Sequence, residues 1–133
     1  MKRPEAREQA FLLLFDKSFH PEMELGEVID LACADGMVKL DHFARSTVEA
    51  VCDDLPNVDA DIERNLQGWK MQRISRVSLA ALRLAMGELR VGDTPVGVVV
   101  NEAVELARLY AGEQDAAFVN GVLRSFLREK EAE

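Results

Sequence analysis

Apolar residues in this chain return every three or four positions, and no stretch alternates with a period of two. The clearest case is Ile74, Val77, Ala81, Leu84, Ala85 and Leu89, which fall on one face of a helix. A chain patterned this way buries its apolar surface by packing helix on helix, not by building a sheet. The same spacing predicts a first helix from about Pro4, with Ala10, Phe11, Leu14 and Phe15 inward, ending before Pro21. A second is expected over residues 24–34, stopped by a turn at Asp35-Gly36. A third follows Asp41 as cap and ends at Leu55-Pro56. A short fourth is capped by Asn57 or Asp59 and closed by Gly68. The fifth spans residues 74–91. The sixth opens with Thr94 as cap and Pro95 in its first turn, and the seventh has Asp115 as cap. The expectation is an all-α bundle of seven helices in a single domain, residues 1–133, with short loops that set neighbours antiparallel.

The formal charge of −8 argues against a uniformly basic nucleic-acid binder, but the charge is uneven. Residues 70–90 carry five Lys or Arg against one acid, and residues 21–69 carry three against twelve. Local potential decides what a surface attracts, so the basic islands count for more than the total. One island is the fifth helix. Arg76, Arg83 and Arg90 are seven apart with Ala80 and Gly87 between them, a stripe away from the apolar face. Small residues between arginines would let a phosphate backbone come close; the plainer reading is a solvated basic face. The other island is Lys2, Arg3 and Arg7 at the start of the chain.

Signs of catalysis are missing. His20 and His42 stand alone, Cys33 and Cys52 fall on apolar stripes, and no phosphate-binding, dinucleotide or nucleophile-elbow motif occurs. Glu102 and Glu105 could form an acid–base couple, but Glu105 with Arg108 reads more simply as a surface ion pair. No metal or cofactor is expected, and the cysteines are expected buried and reduced, as in a cytoplasmic protein. No segment is long and apolar enough for a membrane span. Phe118, near the start of the last helix, could stack an unpaired RNA base, or could be a core ring beside a capping Asp115. Gly121 within that helix suggests a close approach by a helix or a ligand.

Three blocks resemble the NusB family of bacterial transcription antitermination factors. They are Ala6-Arg7-Glu8-Gln9-Ala10 followed by Leu12 to Phe15; Trp69 through Leu89, with Leu82-Arg83-Leu84-Ala85 and Glu88-Leu89; and Asn101 to Ala107 with Phe118-Val119-Asn120-Gly121-Val122-Leu123. The resemblance implies a non-enzymatic bundle in two helical halves. It implies binding of single-stranded boxA RNA from ribosomal RNA operon leaders together with the ribosomal protein NusE, so that the RNA polymerase antitermination complex reads through terminators. A homodimer is also compatible. The family's RNA surface falls on Lys2, Arg3, Arg7, Asp115 and Phe118 here, with Arg83 near it. The chain departs from the family at Ala117, where Lys is common, at Phe15 and Gly87, where Tyr is common, and at Ser78, where an acid is common. Fewer cations imply weaker RNA binding alone, and a protein-interaction adaptor with little RNA affinity is the alternative. The RNA reading expects the positive groups of the N-terminus and fifth helix to gather beside Phe118.

Overall fold

The structure, a computed structural model, describes residues 1–34 and 39–132. Among these residues the chain forms seven α-helices and no strand: α1 (Arg3–Phe19), α2 (Leu25–Ala32), α3 (His42–Cys52), α4 (Leu55–Arg64), α5 (Arg76–Val91), α6 (Val96–Ala111) and α7 (Glu113–Glu131). A single 3-10 turn, Met71–Arg73, precedes α5. The turn expected at Asp35-Gly36 lies outside the described residues.

Local chemistry accounts for most of the boundaries. Pro4 sits in the first turn of α1, where its missing N–H leaves no bond unmade. At the other end Lys17 folds back and donates to the carbonyls of Pro21 (2.9 Å) and Met23 (2.7 Å). The Asp41 carboxylate caps α3 by accepting from the Phe43 N–H at 2.8 Å. Ser75 caps α5, its hydroxyl accepting from the Ser78 N–H at 3.0 Å, and Gly92 ends that helix with a left-handed φ of 83°.

Several boundaries differ from the sequence expectation, and α4, which follows Asp54 and ends at Arg64, contains Asn57 and Asp59 instead of being capped by either. Leu55-Pro56 opens α4 instead of closing α3, because proline is as well suited to a first turn as to a stop. Pro95, not Thr94, is the residue before α6, and it makes no side-chain cap. α7 begins at Glu113, so Asp115 lies inside its first turn and is not its cap.

Helix α5 lies at the centre and packs against α1, α3, α4, α6 and α7. Leu82, Leu84 and Met86 of α5 are buried with Phe11 and Leu14 of α1, Ile62 of α4 and Leu123 of α7. α1 runs antiparallel to α5. Arg7 near its start meets Glu88 near the end of α5, and the Ser18 carbonyl near its end accepts from Arg76 at the start of α5. The Arg7–Glu88 pair is bidentate, with Nε to Oε2 at 2.8 Å and Nη2 to Oε1 at 3.0 Å. Its side chains are only 5% and 1% exposed. Burial works against the charge on Arg7, but the hydrogen bond and charge of Glu88 outweigh it and hold the guanidinium above its ordinary range.

Gly87 marks the closest helix approach. A Cβ there would lie 2.7 Å from the Thr47 carbonyl oxygen and 2.7 Å from Val51 Cγ2. Gly87 therefore admits α3, not a phosphate backbone, and Ala80 is fully buried. On the far side of α1, Glu8 accepts a hydrogen bond from the Tyr110 hydroxyl of α6 at 2.7 Å.

Three outcomes follow from this packing. Glu88→Ala strands a buried cation and should cost about 3–5 kcal/mol in urea unfolding, whereas a loss under 1 kcal/mol would show the pair to be dispensable. Gly87→Ala should cost about 1–3 kcal/mol by the same measurement, because α3 must move away. Tyr110 is the single tyrosine, and its phenol is pushed up to about 12, first by the hydrogen bond to Glu8 and then by burial. Because the folded-state value is raised, this contribution to stability is fully present below the ordinary tyrosine value and is lost as pH rises through about 12. Phenolate absorbance at a pH between the two should be low in the wild type and rise in Glu8→Gln.

Candidate nucleic-acid interface

The six residues singled out from the sequence occupy three places. The first is the start of α1. Lys2 is exposed ahead of the helix, and the Arg3 guanidinium lies 4.1 Å from the centre of the Phe43 ring of α3. Arg7 is one turn further on, 5.4 Å from the same ring, but both edges of its fork are taken by Glu88. Gln9 ties this end of α1 to the start of α3: its amide donates to the Lys39 carbonyl (2.8 Å) and accepts from the Asp41 N–H (2.9 Å).

The second place is the α4 side of α5. Arg83 makes a bidentate pair with Asp59, Nε to Oδ1 at 3.0 Å and Nη2 to Oδ2 at 2.8 Å, and its side chain is 11% exposed. The rest of the arginine stripe is also engaged. Arg90 pairs with Asp54 at 2.7 Å and with Asp61 at 3.5 Å, and Arg76 lies 4.7 Å from the centre of the Phe19 ring. The expected phosphate-facing stripe is therefore a set of interhelical ties. Acids of the acidic block have already claimed two of its cations.

The third place is the junction of α5 and α7, where Asp115 and Phe118 meet. The Asp115 carboxylate accepts from the hydroxyls of Ser78, at 2.9 Å, and of Ser75. That clasp holds the start of α7 against the start of α5. Phe118, half-buried, packs edge-to-face against Trp69, ring centres 6.0 Å apart and planes at 74°. Trp69 remains 58% exposed. It is presented by a sharp turn in which Gln67 (φ 39°) and Gly68 (φ 92°) both take left-handed backbone angles. Together these groups line an open cleft of about 210 Å³ that also includes Arg73, Ile74 and Gln114. Lys70 and Arg73 are exposed, and neither side chain has a hydrogen-bond or ion-pair partner among the described residues.

The structure thus brings Asp115 and Phe118 together and keeps the N-terminal cations apart from them. Ser78 and Glu88, which mark the two clusters on α5, are ten residues apart, about 15 Å along the helix axis. Arg73 lines the cleft with Phe118 and Lys70 follows Trp69 in the chain; they and Trp69 were not selected from the sequence as site residues. The signal for them was present: a Gln-Gly turn before an exposed Trp, at the head of the most basic segment. Gly121 is exposed, and a Cβ there would meet nothing within 4 Å, so no helix approach requires it. No group of three or more His, Cys, Asp or Glu among the described residues could hold a metal ion. No helix is long and apolar enough to cross a membrane.

Comparison with known proteins agrees with this architecture. The NusB family model matches residues 4–128. Transcription antitermination protein NusB of Listeria monocytogenes serotype 4b is 38% identical over 130 residues, covering 97% of this chain and 98% of its own length. NusB of T. maritima has the same fold with a TM-score of 0.85 at 30% identity, covering 97% of this chain and 92% of that one. A chain in the crystal structure of the antitermination factors NusB and NusE in complex with dsRNA has a TM-score of 0.83 at 29% identity, with 96% of each covered. The relatives are transcription antitermination proteins and not enzymes. A bundle of this topology, matched in sequence from Pro4 to Arg128, belongs to the NusB family.

Proposed function

We propose that this chain is a cytoplasmic transcription antitermination factor. It binds single-stranded boxA RNA from ribosomal RNA operon leaders together with NusE, and as part of the RNA polymerase antitermination complex it promotes read-through of terminators. One observation carries the RNA assignment: the exposed Trp69–Phe118 edge shares its cleft with Arg73, and Lys70 follows Trp69 in the chain, both side chains exposed and without a partner among the described residues. Unpaired bases stack on aromatic faces, and free arginines and lysines meet the phosphates between them. The solved relative bound to NusE and dsRNA supports the same class of partners.

The six sequence-selected residues then divide by role. Phe118 stacks a base. Lys2 and Arg3 form a second contact at the other end of α5, where Arg7 meets Glu88. Asp115 holds the α7 start in place through Ser75 and Ser78 and keeps acceptor capacity toward a base edge or 2′-hydroxyl. Arg7 and Arg83 support the surface from within, because Glu88 and Asp59 occupy their donors. The net charge of −8 makes binding by the chain alone weak, with NusE completing the surface.

Titration of a boxA RNA with and without NusE tests the reading. Trp69→Ala and Phe118→Ala should each weaken binding by about 1–3 kcal/mol in variants that circular dichroism shows to be folded. With Lys2, Arg3, Lys70 and Arg73 as the phosphate contacts, the slope of log affinity against log salt should be about −3. NusE should tighten the complex. Wild-type affinity in both aromatic variants, or tight binding that NusE does not alter, would contradict the proposal.

A further inference from the structure

A second cleft lies on another side of the molecule. α1 and α6 both pack on α5, and an open groove of about 380 Å³ runs between them. Its rim carries Glu5 and Glu8 of α1 and Glu102 and Glu105 of α6, and Leu106 and Leu109 of α6 supply the apolar lining. Leu109 is 70% exposed, more than any other large apolar side chain of the described residues. The side chains of Glu5 and Glu102 make no hydrogen bond or ion pair among the described residues, although the Glu102 charge is felt by Arg7. The cation that lines the groove, Arg7, is already neutralised by Glu88. α1 is therefore two-sided: Arg3 and Arg7 turn toward Phe43 of α3, while Glu5 and Glu8 turn toward α6.

We propose that this groove docks a lysine- and arginine-rich amphipathic segment of a protein partner. Charge complementarity selects the occupant. Carboxylates on both rims repel RNA and an anionic membrane surface, and they attract cationic side chains. The leucines accept the apolar face of the same segment, as in helix-in-groove recognition. The inference uses none of the residues of the Trp69–Phe118 cleft, although Arg7, which lines this groove, also supports the α1 end of the proposed RNA surface.

The test uses the intact chain and, as probe, a short fluorescein-labelled peptide with leucines at helical spacing and lysines elsewhere, followed by anisotropy. Glu5→Lys and Leu109→Ser, both at exposed positions, should each weaken probe binding by about tenfold. Glu22→Lys changes the net charge as much as Glu5→Lys but lies outside the groove, and it should change affinity by less than about twofold. A probe with its leucines replaced by glutamine should bind about tenfold more weakly. Circular dichroism confirms that each variant is folded. If Glu22→Lys weakens binding as much as Glu5→Lys does, the attraction is that of the whole acidic surface and the proposal fails. It fails equally if Leu109→Ser or the glutamine probe binds unchanged.

Discussion

Two opposite charges locked together in the interior, Arg7 and Glu88, set the register of the first helix on the central one. Removing both groups from water costs several kcal/mol each, and only a close bidentate fit recovers it. That fit is available in one alignment of α1 against α5. The same alignment places Phe11 and Leu14 in the core, brings Tyr110 to Glu8, and lets Arg76 reach the end of α1. One residue before Glu88, the missing side chain of Gly87 admits α3 to the same helix. The arrangement of the bundle around α5 thus depends on a two-residue segment, one residue chosen for its charge and the other for its absence of bulk.

This dependence changes how the arginines are read. On a helical wheel Arg76, Arg83 and Arg90 form a continuous basic stripe, and the wheel is correct about their angles. It cannot include what other helices bring. α4 delivers Asp54, Asp59 and Asp61 to that face, so Arg83 and Arg90 bind carboxylates within the fold. In an acidic chain most arginines find such partners. Cations left for an external anion include Lys70 and Arg73 on the segment between α4 and α5, Lys2 at the start of the chain, and Arg124 and Arg128 on α7.

The fold was largely legible because period and capping are local. Asp41 caps α3 as its sequence context suggests, and seven helices were readable from apolar spacing together with caps, prolines and glycine turns. Boundaries went astray where one residue type serves two purposes. Pro56 can end one helix or begin another, and Asp115 can cap a helix or, from its first turn, bind the serines of a neighbour. In the proposed site, Phe118 and Asp115 came forward through the family resemblance, since spacing alone favours a core ring and a cap, whereas Trp69 sits in a turn held by the backbone of Gln67 and Gly68, where no periodicity speaks. Its pairing with Phe118 crosses 49 positions of sequence and is fixed by tertiary packing.

The central claim is that RNA meets the chain at the junction of α5 and α7. Photo-crosslinking of a boxA RNA carrying 4-thiouridine, with the attached peptides identified by mass spectrometry, tests it most directly. The account predicts adducts on the two segments 69–73 and 114–118. Adducts confined to the α4-facing side of α5, around Arg83 and Arg90, would contradict it.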